Sequence, residues 1–256
     1  MNTLAIVQVR MGSKRLPGKA MLKIKGKLII DILLERLTNS KLIDKIVIAS
    51  SIKKDNDSLS AYLKLKGFQV YRGSEQNVIS RYVNIIKKFK PSTVIRITGD
   101  CPLVDPLLVD KFIKLFNQKK VDYLSNTNPH TFADGFDVEV IKANAILKSS
   151  ILDKSLPNKE HVTHFIKKSN RFKLFNTISR GNFYKYRVTI DNINDFKNLK
   201  KILENFNYNF NISYKEITKY IVSNSFPNIE KSKKLWIRAK KIIPNGNMLL
   251  SKNSDT

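Results

Sequence analysis

Short runs rich in β-branched residues alternate with stretches of helical apolar spacing through the first 120 residues. The run LAIVQV reads as a first strand, and residues 27 to 39 set Leu28, Ile29, Ile32, Leu33 and Leu37 on one helical face. KIVIAS predicts a second strand, DNDSLSAYLKLKG a helix closed by Gly67, and FQVYRGS a third strand. Val78, Ile79, Tyr82, Val83, Ile86 and Phe89 share the next helical face. STVIRITGD then reads as a strand ending at Gly99 and Asp100, followed by a helix from about Leu107 to Gln118. Strand and helix in alternation predict an α/β fold, a largely parallel sheet covered by helices.

Beyond VDYLSNT the pattern is less regular, with FDVEVI and FKLFNTI as expected strands around a short helix near residues 143 to 151. YKYRVTID reads as a further strand delivering Asp191. Phe196, Leu199, Ile202, Leu203 and Phe206 then line one helix, and Ser213 with Glu216 has the capping-box spacing of a last helix to about Ser223. Pro227 is expected to close a domain of residues 1 to 227, leaving 228 to 256 as a polar, basic tail.

Charge changes this picture little. A net charge of +26 suggests nucleic acid or an anionic surface, yet 37 Lys stand against 10 Arg and 25 Asn, with the lysines spread through every expected helix. That is a compositional bias, and no recognition helix, RNP-type strand or zinc-finger spacing accompanies it. Arginine placement says more, because six of the ten fall in the motif-bearing segments: Arg10, Arg15, Arg72, Arg81, Arg96 and Arg187. One cysteine, Cys101, excludes an internal disulfide and fits a reducing compartment. With neither a signal-peptide pattern nor a membrane-length apolar run, the expectation is a cytoplasmic protein without membrane insertion.

The candidate chemistry starts in QVRMGSKRLPGKAMLKI, where Arg10, Lys14, Arg15, Lys19 and Lys23 crowd a glycine-bearing loop directly after the first strand. It is no ATP-type P-loop. Five residues separate Gly12 from Gly18, and Ala20 stands where the metal-holding hydroxyl is required. Such a loop still aims backbone N–H groups and cations at a polyphosphate. Parallel sheets bind ligands beyond the carboxyl ends of their strands, which draws RGSEQ and GDCPLVDP to the same edge. Asp100 opposite a polyphosphate makes electrostatic sense with a Mg²⁺ ion between them, and Asp191, at another strand end, offers a second ligand.

QVRMGSKRLPGK, YRGSEQNVISRY, RITGDCPLVDP, DGFDVEV, KEHVT and RVTID occur in this order over residues 4 to about 222. Together they resemble the spore-coat-polysaccharide-type cytidylyltransferases, relatives of the 3-deoxy-manno-octulosonate and acylneuraminate cytidylyltransferases. The resemblance implies a Rossmann-like nucleotide-diphospho-sugar transferase fold, an α/β/α sandwich with a mixed, mostly parallel sheet, and a homodimer. It implies that Arg10, Gly12, Ser13, Arg15 and Lys19 hold the triphosphate of CTP, with Lys19 at the reacting phosphate. Arg72, Gly73 and Ser74 would border the cytidine, and Asp100 and Asp191 would hold Mg²⁺. Asp134, Asp137, Glu139 and Arg187 would face a small, sugar-like acceptor. The expected catalytic residues are Lys19, Arg15 and Asp100, with no covalent protein nucleophile, and His161 and His164 are more often packing residues than bases.

Two other readings keep the fold: a nucleotidyltransferase using another NTP with a sugar phosphate, or a glycosyltransferase. The second normally shows a D-x-D metal motif, whereas Asp134 and Asp137 are three apart. A basic nucleic-acid-binding protein is the alternative from another class. The tail portion KSKKLWIRAKKIIPNGNMLLSK resembles the opening of class III aminotransferases, and Leu235, Trp236, Ala239, Ile242 and Ile243 equally suit one face of an amphipathic helix.

Overall fold

Alternation along the first strand, β1 (Thr3–Gln8), sends Leu4 and Ile6 into one apolar cluster and Ala5 and Val7 into another. The same split recurs in β4 (Lys45–Ser51), where Val47 and Ala49 face one side and Ile48 the other. A strand buried on both faces must lie between two helical layers. The structure, a computed structural model, describes residues 2 to 224. The aminotransferase-like tail expected from residue 228 lies outside the described residues.

On one face pack α1 (Ile29–Thr38), α2 (Asp57–Leu65), α4 (Pro106–Lys119), α8 (Ile193–Asn205) and α9 (Tyr214–Ser223). On the other lie α3 (Val78–Phe89), α5 (Ala143–Leu152) and Ile166 of α7 (His164–Lys168), with the short α6 (Leu156–His161) against α3. Between them runs a seven-stranded sheet with order β5-β4-β1-β6-β8-β7-β9. Its remaining strands are β5 (Gln69–Gly73), β6 (Thr93–Thr98), β7 (Tyr123–Ser125), β8 (Glu139–Lys142) and β9 (Leu174–Asn176). β5, β4, β1 and β6 are parallel, β8 is antiparallel to both β6 and β7, and β7 pairs β9 in parallel. This is the expected α/β/α sandwich with a mixed, mostly parallel sheet. No helix among the described residues is long and apolar enough to cross a membrane.

Two local expectations are corrected. The helix expected from residue 27 begins at Ile29, because Lys27–Leu28 (β3) pairs Lys23–Ile24 (β2) in a hairpin turned by the positive φ of Lys25 and Gly26. YKYRVTID forms no strand. Its backbone bonds irregular segments instead, through Asp134 N to Tyr186 O (2.9 Å), Val188 N to Asp134 O (2.7 Å) and Ile190 N to Asp100 O (2.8 Å), and leaves one bridge, Asp134 to Arg187. The partner is a loop, which breaks the ladder while still delivering Asp191 beside Asp100.

Elsewhere the caps are those the residues dictate. Asn192 and Asp195 form a capping box on α8, and Ser213 and Glu216 the expected one on α9. Arg36, 1% exposed, donates to the carbonyls of Leu103, Val104, Phe210 and Ile212. It thereby ties the chain after Asp100 to the segment between α8 and α9.

Candidate active site

The parallel strands β1, β4, β5 and β6 deliver their carboxyl ends to one edge, where the cationic loop leaves β1. Val9 and Gly99 touch there: Gly99 N donates to Gln8 O at 2.8 Å, and a Cβ on Gly99 would stand 2.7 Å from Val9 Cγ2. The loop folds on itself through Met11 O, which accepts from Ser13 N (2.8 Å) and Gly18 N (2.9 Å), with Gly18 at φ 70°. Asn56 Oδ1 anchors it by accepting from Met11 N at 2.9 Å. Gly12 lies against Asp55, whose Oδ2 would stand 3.0 Å from a Cβ on it, and the Ser13 hydroxyl accepts from Leu16 N at 3.4 Å.

Lys19 is turned inward by the short 3₁₀ segment Lys19–Met21, with its side chain 13% exposed. Its Nζ donates to Ile190 O at 2.6 Å and lies 3.1 Å from Asp191 Oδ1 and 3.4 Å from Asp100 Oδ2. Arg15 Nη2 pairs Asp191 Oδ1 at 3.0 Å, while Arg187 Nη2 holds the other oxygen, Oδ2, at 2.8 Å. Asp195 fixes this corner from behind, accepting from Asp191 N (2.9 Å) and Asn192 N (3.1 Å). Burial works to raise the Asp191 carboxyl, but Lys19, Arg15 and Arg187 outweigh it and hold the group below the usual carboxylate range.

Beyond Arg187 lies an acidic flank. Arg187 Nε pairs Asp134 Oδ2 at 3.3 Å, and burial together with the neighbouring Asp137 pushes the Asp134 carboxyl up. Asp137 meets His130 Nε2 at 3.2 Å, a contact that raises the imidazole. Glu139 faces inward: 4% exposed, it pairs with Arg96 and accepts from Tyr123 Oη (2.6 Å) and Thr163 Oγ1 (2.9 Å), with Lys167 Nζ 3.6 Å away. Thr163 follows Val162, whose φ of 53° is unusual for a β-branched residue, with Thr163 N bonded to His161 O. His161 and His164 stand on either side of this bend, the first ending α6 and the second opening α7.

The opposite flank is basic around one carboxylate. Arg10 Nη1 and Lys53 Nζ lie 3.2 and 3.3 Å from Glu75 Oε1, and Ser51 Oγ donates to Oε2 at 2.8 Å. Arg72 donates to Ser51 O (3.0 Å) and Lys53 O (2.9 Å) and pairs Asp57 at 2.6 Å, bracing the ends of β4 and β5. Gly73 ends β5, and Ser74 Oγ accepts from Asn77 N at 3.0 Å ahead of α3.

The structure thus gathers Arg15, Lys19, Asp100, Asp134, Arg187 and Asp191 into one connected cluster and joins Arg10 to the turn after β5. Lys53 and Asp195 were absent from the sequence expectation, and Glu75 entered it only as part of the RGSEQ segment. Only the Asn192-x-x-Asp195 capping spacing could have flagged Asp195. Asp100 and Asp191 carry hard oxygen donors close enough to share one ammonium, a donor pair that fits a divalent cation. Among the described residues no group of three or more His, Cys, Asp or Glu side chains is placed to hold a metal. Phosphate oxygens and water would have to complete the shell, as is common for small hard cations.

Comparison with known proteins agrees with this geometry. The chain is 36% identical over 210 residues to the spore coat polysaccharide biosynthesis protein SpsF of Bacillus subtilis, covering 78% of this chain and 86% of that one. A cytidylyltransferase structure from Leptospira borgpetersenii superposes with a TM-score of 0.82 at 32% identity, over 88% of this chain and 95% of that one. The structure of a CMP:2-keto-3-deoxy-manno-octonic acid synthetase complexed with CTP shares the fold, with a TM-score of 0.60 at 14% identity over 80% of this chain and 99% of that one. The family model described as cytidylyltransferase matches residues 4–242, and the chain belongs to that family.

Proposed function

We propose that this cytidylyltransferase transfers CMP from CTP to an oxygen of a sugar or sugar-acid-like acceptor, with Mg²⁺ as the metal, in surface-glycan biosynthesis. One observation carries the reading: Lys19 Nζ sits between Asp100, Asp191 and a backbone carbonyl at the sheet edge where Arg15 also reaches. An acceptor hydroxyl attacks the α-phosphorus and gives up its proton to solvent, the bond to the bridging oxygen breaks, and pyrophosphate leaves with the electron pair. Negative charge grows on the phosphate oxygens as this happens. Lys19 and Arg15 meet it with preorganised cations, and the inward-facing Lys19 is the better shielded from water. Arg10, Gly12 and Ser13 hold the rest of the triphosphate, while Arg72, Gly73 and Ser74 border the cytidine.

Asp100 and Asp191 would hold Mg²⁺, which when bound supplies further neutralisation of phosphate charge. Asp134, Asp137 and Arg187 orient acceptor hydroxyls, whereas Glu139 is buried against Arg96 and Thr163 with Lys167 beside it. The polysaccharide role named for the Bacillus relative supports a glycan acceptor. A homodimer located in the cytoplasm, where CTP is available, belongs to the same proposal, and sedimentation of the purified chain tests the dimer.

Pyrophosphate release with Mg²⁺, each of the four NTPs and a panel of sugar-acid and sugar acceptors tests the reaction. CTP should be clearly preferred. Equal rates with UTP or ATP would refute cytidylyl transfer.

A further inference from the structure

The cationic loop divides its partners by flank. β4 and β5 lie on one side of β1, and β6 and β8 on the other. Lys19 and Arg15 reach toward Asp100 and Asp191 on the β6 side, whereas Arg10 reaches Glu75 after β5. The α-phosphorus carries its nucleoside in one direction and receives the acceptor from another. An acceptor over Asp134 and Arg187 therefore leaves the Glu75 flank to the base.

Glu75 is built into that flank. Its side chain is 15% exposed, with Arg10 and Lys53 on Oε1 and Ser51 on Oε2. A carboxylate has about four acceptor positions, so one remains, on Oε2. The backbone beneath is clamped by Arg81, 1% exposed, whose Nε donates to Ser74 O at 2.6 Å and Nη2 to Glu75 O at 3.1 Å. Burial works to raise the Glu75 carboxyl, but Ser51, Lys53 and Arg10 hold it below the usual range, leaving it anionic at neutral pH.

Cytosine presents an exocyclic amino donor where uracil presents a carbonyl acceptor. We infer that Glu75 selects cytosine over uracil by accepting a hydrogen bond from the 4-amino group at the free position of Oε2. The inference rests on the CTP-dependent transfer proposed above. A uracil in the same place would set its O4 against a fixed carboxylate, and such unpaired polar contacts discriminate more strongly than pocket shape.

Calorimetric titration of the full chain with CTP, UTP and inorganic tripolyphosphate, in Mg²⁺, tests it on the wild type, Glu75→Gln and Glu75→Asp. Glutamine can turn its amide donor toward O4. For Glu75→Gln the CTP dissociation constant should rise about tenfold or more, with UTP unchanged or tighter and tripolyphosphate within about twofold. Glu75→Asp keeps the charge but withdraws it by one methylene, and should lose CTP selectively with a native circular dichroism spectrum. A parallel weakening of CTP, UTP and tripolyphosphate would show that Glu75 only seats Arg10, overturning the inference. Undiminished CTP preference in both variants would overturn it as well. If the wild type bound UTP as tightly as CTP, the proposed function would fall together with it.

Discussion

Glu139→Gln keeps the shape of a buried side chain and deletes its charge, leaving Arg96 enclosed without a counter-ion and Lys167 without its carboxylate. Two independent routes give the cost. Burial acts to raise the Glu139 carboxyl, yet Arg96, Lys167 and Tyr123 take it from 4.5 down to about 2. At about 1.4 kcal/mol per pH unit, that difference is worth roughly 3–4 kcal/mol. Breaking a buried ion pair by removing one partner typically costs about 3–5 kcal/mol, in the same range. For a domain of this size the melting temperature should fall by roughly 7–14 °C near neutral pH. The sign follows from the depressed folded-state value: the contribution is complete above the unfolded value and is lost as pH falls through the folded one. By about pH 3 less than half of it should remain. Thermal and urea melts of both proteins across that pH range measure the gap. A variant melting within about 2 °C of wild type near neutral pH, or a gap that does not narrow in acid, would refute the reasoning.

Lys19→Ala and Arg15→Ala should each lower turnover by about a hundredfold or more while circular dichroism stays native, and near-normal turnover at saturating CTP would remove the loop from the chemistry. Asp100→Asn and Asp191→Asn should shift the Mg²⁺ activation midpoint upward and nearly abolish activity, because an amide oxygen is a poorer hard-cation ligand than a carboxylate. Unchanged midpoints in a metal titration of both variants would return the two aspartates to purely structural roles.

The elements of the first 120 residues were legible because each has its own periodicity: the alternating faces of β1 and the apolar stripe of α3 are local signals. The YKYRVTID segment misled for the same reason. Its alternation is real, but Arg187 meets a loop at Asp134, and pairing depends on a partner that local pattern does not specify. Of the candidate site, the clustering of Arg10, Arg15 and Lys19 on one loop was readable because they are close in sequence. The Arg96–Glu139 pair spans 43 residues and the Arg10–Glu75 pair 65, and no spacing rule joins such residues. Glu139 sat among the expected acceptor-facing residues because the resemblance groups it with Asp134 and Asp137. β8 turns its side chain inward, where Tyr123 and Thr163 wait.

Lys19 joins Asp100 across 81 residues and Asp191 across 172, so its cage draws on the first strand, the fourth parallel strand and the segment before α8. Closing contacts of such long range is entropically slow and succeeds only once the intervening chain is in place. During refolding, helical signal should therefore return before the Lys19 cage exists. Catalytic competence then marks completion of the whole architecture, and a fragment ending before residue 191 would lack Asp191 however well its own sheet had formed.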